Sequence, residues 1–195
     1  MAMRKKKRSK KWIFVLVGVF AIGLIFGYFI FKSFNTEEEY SFNGFTVKKT
    51  LMNTWKIKMV YQGNSFEVDF RVDPRSLIVK NYKLPENYDI LLRIEKINVI
   101  SDPDLPAKYS LGMYDLIKVL RVILGKDVEI GVSREYADMK VLNCTEYGVY
   151  FTSNNETNII HWADKCLVIN ATNADFAIEA ADLLAYHYLG IIRND

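Results

Sequence analysis

Cys144 and Cys166 are the only cysteines in the chain. A thiol pair has three chemical outlets: a disulfide, a metal site, or a nucleophile beside a base. Each of the two sits at the edge of a predicted strand, so a disulfide linking neighbouring strands is the expected outcome, with two buried free thiols as the alternative. A zinc site would need further ligands. Only His161 and His187 are available, at no spacing that matches a zinc motif.

His161, followed by Trp162 and Asp164, is the most site-like cluster, because a histidine near a carboxylate can act as a general base. The chain has no Gly-x-Ser-x-Gly elbow, and a bridged Cys166 cannot attack, so the expected role of His161 and Asp164 is a surface-loop contact. His187 lies between Tyr186 and Tyr188 and reads as a packed, hydrogen-bonded ring. Asp73, Asp102 and Asp104 supply oxygens of the kind calcium takes, but they flank prolines in turns and lack the Gly and distal Glu of a calcium loop. Neither Gly-x-Gly-x-x-Gly nor a Walker loop is present, so no metal and no cofactor is expected. Three glycosylation sequons begin at Asn143, Asn155 and Asn170; Asn155 lies in the most polar loop, and Asn143 adjoins the expected bridge.

These groups must be held somewhere, and the N-terminus says where. Residues 12–31 carry no charge, enough to cross a bilayer as a helix. Before them, residues 1–11 hold Arg4, Lys5, Lys6, Lys7, Arg8, Lys10 and Lys11 with no acid, while residues 32–39 end in Glu37, Glu38 and Glu39. The positive-inside bias puts the tail in the cytoplasm and everything after the span outside, where thiols oxidise. The apolar run is too long for a cleaved signal peptide and meets no small-x-small site, so an uncleaved single-pass anchor is expected. Gly23 and Gly27 form a small-xxx-small pair through which two such helices could dimerise. With the seven tail residues set aside, 19 of the 26 Lys and Arg face 23 acids, which argues against nucleic acid as a partner.

Residues 40–195 are the size of one domain. Asn43-Gly44 between Phe42 and Phe45 predicts a hairpin. A second follows, with Trp55, Ile57, Met59 and Tyr61 alternating against Phe66, Val68, Phe70 and Val72 across a turn at Gly63-Asn64; counting outward pairs Tyr61 with Phe66 and Lys58 with Asp69. Residues 90–100 alternate with a slip at Glu95-Lys96, either a bulged strand or a helix-to-strand break. Met113, Leu116, Ile117, Leu120 and Leu124 follow helical spacing up to Gly125, and Asn173 caps a last helix that Gly190 stops. Short strands at 128–132, 149–152 and 166–169 complete an α/β sandwich carrying an N-terminal β-hairpin layer.

At Phe70-Arg71-Val72-Asp73-Pro74-Arg75, at Cys166-Leu167-Val168-Ile169, and at Ala180-Ala181-Asp182-Leu183-Leu184-Ala185-Tyr186 followed by Leu189-Gly190-Ile191, the sequence resembles uncharacterised archaeal single-span membrane proteins with an extracytoplasmic α/β domain. The resemblance implies an archaeal envelope setting and lends no activity or catalytic residue. The expected function is therefore a membrane-anchored interaction or scaffold protein that binds another envelope component. An anchored hydrolase acting on peptides or glycans, built around His161, is the alternative.

Overall fold

Left-handed turn residues organise the first half of the chain. Asn43 and Gly44 have φ of 49° and 86°, and Gln62 and Gly63 have 49° and 81°, the paired positive angles of a two-residue hairpin turn. The computed structural model describes residues 20, 22–27, 38–154 and 156–193. Strands β1 (Glu39–Phe42), β2 (Phe45–Lys49), β3 (Trp55–Tyr61) and β4 (Asn64–Phe70) form one antiparallel meander in that order. The two expected hairpins are thus a single sheet.

The register corrects the sequence-based pairing. Tyr61 faces Asn64, Met59 faces Phe66, and Lys58 faces Glu67 rather than Asp69. The turn is Gln62-Gly63, two residues tight, whereas counting from Gly63-Asn64 leaves a four-residue loop. The two registers differ by a shift of two on β4, which keeps the same residues on the same face, so apolar alternation cannot tell them apart. Val47, Trp55, Ile57, Met59, Val68 and Phe70 are buried on that face.

Asp73 then caps a short helix that strand reading missed, α1 (Pro74–Lys80), by accepting from the Arg75 amide, with Pro74 suited to its first turn. Residues 88–93 are a 3-10 helix and β5 (Lys96–Ser101) follows, so the slip at Glu95-Lys96 is the helix-to-strand break. Helix α2 (Tyr109–Lys118) continues as a π-helical turn to Ile123 before Gly125 stops it. After β6 (Asp127–Val132) come β7 (Gly148–Ser153), β8 (Ile159–Ala163), β9 (Cys166–Ala171) and α3 (Ala174–Tyr188), whose Asn173 cap accepts from the Phe176 amide.

The second sheet has the order β6-β5-β7-β9-β8, parallel except for the edge strand β8. One of its faces is covered by α2 and α3, which pack together so closely at Gly112 that an added Cβ would lie 2.9 Å from Ile178 Cα. Helix α3 is buried on nearly every side, because the meander also reaches it: the Phe70 and Tyr186 rings are 4.4 Å apart. On the opposite face the buried cluster among the described residues is Ile100, Cys166 and Val168 from the sheet with Leu142 from the connection of residues 133–147 that covers them. A Cβ on Gly131 would overlap Lys140 O, so this connection lies directly on β6.

The fold is mixed α/β with two sheets. Residues 1–38 and 39–195 form two separate units. Most of the span expected at 12–31, the tail 1–11 and the stalk residues 32–37 lie outside the described residues. Positions 20 and 22–27 are helical, and among the described residues no helix is long and apolar enough to cross a membrane.

Candidate functional site

Parallel strands place their carboxyl ends on one edge of the sheet, and ligands of α/β folds settle there, where neighbouring connections diverge. From β5 the chain leaves through α2 to reach β6 on one side, and from β7 it runs on to β8 and β9 on the other, so the connections diverge between β5 and β7. A small cleft of about 130 Å³ opens at this edge one strand away, between the ends of β5 and β6 and the start of α2. Its walls are largely apolar, with Leu105, Pro106 and Met113 on one side and Tyr136 and Met139 on the other.

The polar content of the cleft is sparse. Asp102 Oδ1 is buried and accepts no hydrogen bond among the described residues; Arg134 Nη2 stands 3.5 Å away and also pairs with Asp104. Tyr109 turns its hydroxyl away to Ala171 O at 3.1 Å. The set suits an apolar group with a cationic or donor tip, and it contains no nucleophile beside a base. Thioether side chains such as Met113 and Met139 adapt to varied shapes.

A second polar cluster lies between the meander and the helices. Asp182, fully buried on α3, accepts at 2.9 Å from the amides of Arg71 and of Val72 through Oδ2, where β4 has ended and α1 has not begun. Asp115, buried on α2, pairs with Arg71 Nε at 2.9 Å, and Tyr186 donates to Val72 O at 2.5 Å. Burial pushes the Asp182 carboxyl up to about 8, and the neighbouring Asp115 charge adds to the rise. Burial also raises Asp115 to about 6, against the pull of the Arg71 and Lys118 charges. Such a cluster can take up protons, but it is sealed from solvent and holds layers together rather than meeting a substrate.

The residues singled out from sequence do not converge. Cys144 and Cys166 form a disulfide with Cα atoms 5.1 Å apart, joining the covering connection to β9. His161 is a correction to the loop reading: it lies on edge strand β8 opposite Val168, half-buried, with no partner on Nδ1. Strand β8 was missed because Ile159–Ala163 is short and mixes polar with apolar residues. Asp164 occupies the β8–β9 turn with φ of 52°, and no hydrogen bond or ion pair joins it to His161. His187 Nδ1 lies 3.3 Å from the Tyr88 hydroxyl, the packed ring expected.

Asn143 is exposed, and its Oδ1 accepts from the amide and hydroxyl of Thr145; Asn170 is half-buried on β9 between β7 and β8. Asn155 lies outside the described residues. A Cβ at Gly23 or Gly27 would meet nothing within 4 Å. Among the described residues no group of three or more His, Cys, Asp or Glu is placed to hold a metal ion.

Sequence reasoning missed both the cleft and the buried acids. The run Asp102-Pro103-Asp104-Leu105-Pro106 was visible as a turn, but its place at a ligand edge depends on strand order, which periodicity does not encode. Asp115 and Asp182 did leave a signal: each is an acid inside an otherwise apolar helical stripe. No family model, no curated protein and no solved structure matches this chain.

Proposed function

We propose that this chain is a membrane-anchored recognition protein: residues 12–31 span the bilayer once with the basic tail in the cytoplasm, and the α/β domain binds another envelope component outside. The observation that carries the binding role is the apolar cleft at the carboxyl ends of β5 and β6, with the buried Asp102 Oδ1 at its rim, paired only at 3.5 Å with Arg134. An apolar anchor with a few fixed polar groups is how a recognition site holds a partner side chain. The disulfide supports an oxidising location, and the exposed Gly23 and Gly27 leave room for a homodimer through the anchor.

The test is affinity purification of the detergent-solubilised full-length chain from its native membranes, comparing wild type with Ser110→Trp, which fills the cleft, and Tyr114→Trp, an exposed position one turn further along α2. A partner retained by wild type and Tyr114→Trp but lost with Ser110→Trp is the expected result. An identical set of proteins with all three removes the cleft from the reading. Peptide or glycan hydrolysis that His161→Ala abolishes would replace binding with catalysis.

A further inference from the structure

The meander has two ends, and their turns differ in kind. At one end are Asn43-Gly44 and Gln62-Gly63, polar and closed by positive φ angles, with Asn43 Nδ2 donating to Ile191 O. At the other end, the β2–β3 connection places Leu51 and Met52 at its tip, 83% and 88% exposed. Turn centres ordinarily carry Asn, Asp, Gly, Pro or Ser, for reasons of backbone geometry and local hydrogen bonding. Two large apolar side chains there gain nothing for the fold.

The loop that presents them is firmly built. Thr50 N donates to Thr54 O at 2.8 Å, Asn53 N to Thr50 O at 3.0 Å, and the two threonine hydroxyls are 2.7 Å apart. Asn53 takes the left-handed conformation, φ 58°, that closes the turn. The exposure of Leu51 and Met52 is thus fixed by the backbone rather than left to chance. Basic residues flank the tip on both strands: Lys48 faces Lys56, whose ammonium also pairs with Glu67 at 3.4 Å, and Lys49 faces Trp55, over whose ring its ammonium sits at 5.4 Å. Glu39 at the start of β1 faces Lys48.

That last pairing also says where the chain comes in. Because Glu39 faces Lys48, the chain joins the meander at the end that carries Leu51 and Met52, not at the polar end. Seven residues, 32–38, separate Glu39 from the apolar run 12–31, and fully extended they reach no more than about 25 Å. Whatever bilayer holds residues 12–31 is therefore within tether distance of this tip. Apolar side chains at a basic rim are the pattern of a surface that dips into the headgroup region of a membrane.

We propose that the β2–β3 tip, through Leu51 and Met52 with Lys48, Lys49 and Lys56 around them, is a second contact with the bilayer that anchors the chain. It rests on the reading that residues 12–31 cross that bilayer. A contact at the tip would give the domain a hold on that bilayer besides the chain that leads to it.

The full-length chain, reconstituted in vesicles of phosphatidylcholine and phosphatidylglycerol, tests this directly. Both native cysteines are bridged, so one introduced cysteine takes an environment-sensitive fluorophore alone. Met52→Cys is expected to give blue-shifted emission and several-fold stronger quenching by nitroxide-bearing lipids than Gln62→Cys. Adding Leu51→Asp should erase that difference while leaving the thermal melt unchanged. Equal, weak quenching at both positions, in a chain that alkaline carbonate fails to strip from the vesicles, overturns the tip contact and leaves the anchor standing. Release of the chain by carbonate defeats the anchor and the tip together.

Discussion

The two faces of the five-stranded sheet are closed by different means. On one, Val99, Val149, Phe151, Leu167 and Ile169 belong to a core shared with α2, α3 and the meander. On the other, Ile100, Cys166 and Val168 lie under the irregular connection 133–147, which adds Leu142 and is held to β9 by the Cys144–Cys166 bond. A helix brings a continuous apolar stripe and satisfies its own backbone, whereas a loop brings few apolar side chains and gains little from burial. The difference teaches where the covalent bond is needed: on the face that cannot be closed by hydrophobic area. The helix face has its own weakness, the acids Asp115 and Asp182 buried within it.

That weakness sets the largest expected effect. Asp182 has a folded value near 8 against an ordinary 3.8, so the folded state holds a proton that the unfolded chain has already lost. Stability therefore falls as pH rises from about 4 to about 8 and levels off above, and Asp115 contributes with the same sign below about 6. At about 1.4 kcal/mol per pH unit for each unpaired proton, the loss is on the order of several kcal/mol. Urea melts across this range are the measurement. Asp182→Asn keeps an acceptor for the Arg71 and Val72 amides and should flatten the slope; an unchanged slope would assign the proton elsewhere.

Next in size is a direct comparison along one strand. Leu167 and Val168 are neighbours on β9 but belong to opposite faces. Leu167→Ala should cost about 2 to 5 kcal/mol, because the helices above it cannot collapse into the gap. Val168→Ala should cost about 1.5 kcal/mol, near the transfer value of the methylenes lost, since a loop settles more readily than a helix pair. Equal costs would mean that the loop-covered face is packed as firmly as the other.

The bridge follows. It closes a loop with a sequence separation of 22, for which chain entropy gives about 3 kcal/mol. Cys144→Ser and Cys166→Ser should each lower stability by roughly that amount and by no more when combined, because either one removes the same bond. Hydrogen exchange locates the effect: amides of 133–147 should lose protection in Cys144→Ser, while those of α3 keep theirs. Global loss of protection would show that the two faces unfold as one unit.

How much of this could be read beforehand depends on the range of the interaction. The Asn173 cap, the stops at Gly125 and Gly190, and the β6, β7 and β9 strands follow from contacts within a few residues, and all were legible. The pairing of the two cysteines was also legible, because only two exist, but the expected link between neighbouring strands is corrected: Cys144 lies in the connection 133–147 and only Cys166 lies on a strand. Two features were hidden. The β3–β4 register differs by two residues from the expected one, a shift to which a period of two is blind. The Asp182 contacts with Arg71 and Val72 join residues more than a hundred positions apart, and only an acid in an apolar stripe announced them.

The smallest effect is expected at His161, and it bears on both the comparison and the function. Its neighbours Ile160 and Trp162 pack on the helix-side core, so His161 points to the loop-covered face, opposite Val168. Its Nδ1 is buried without a partner, and an unsatisfied buried polar atom subtracts from stability. His161→Leu removes that atom and adds apolar surface to the face that has least of it. The expected change is a gain within about 1 kcal/mol, at the edge of what surface substitutions usually do. A loss of more than that would mean that the imidazole holds a bond through water or a partner, which is the environment a working histidine requires. Because β8 is an edge strand, its outer rim tolerates the change, and a gain in melting temperature with partner binding intact would leave His161 with no task that an aliphatic side chain cannot perform.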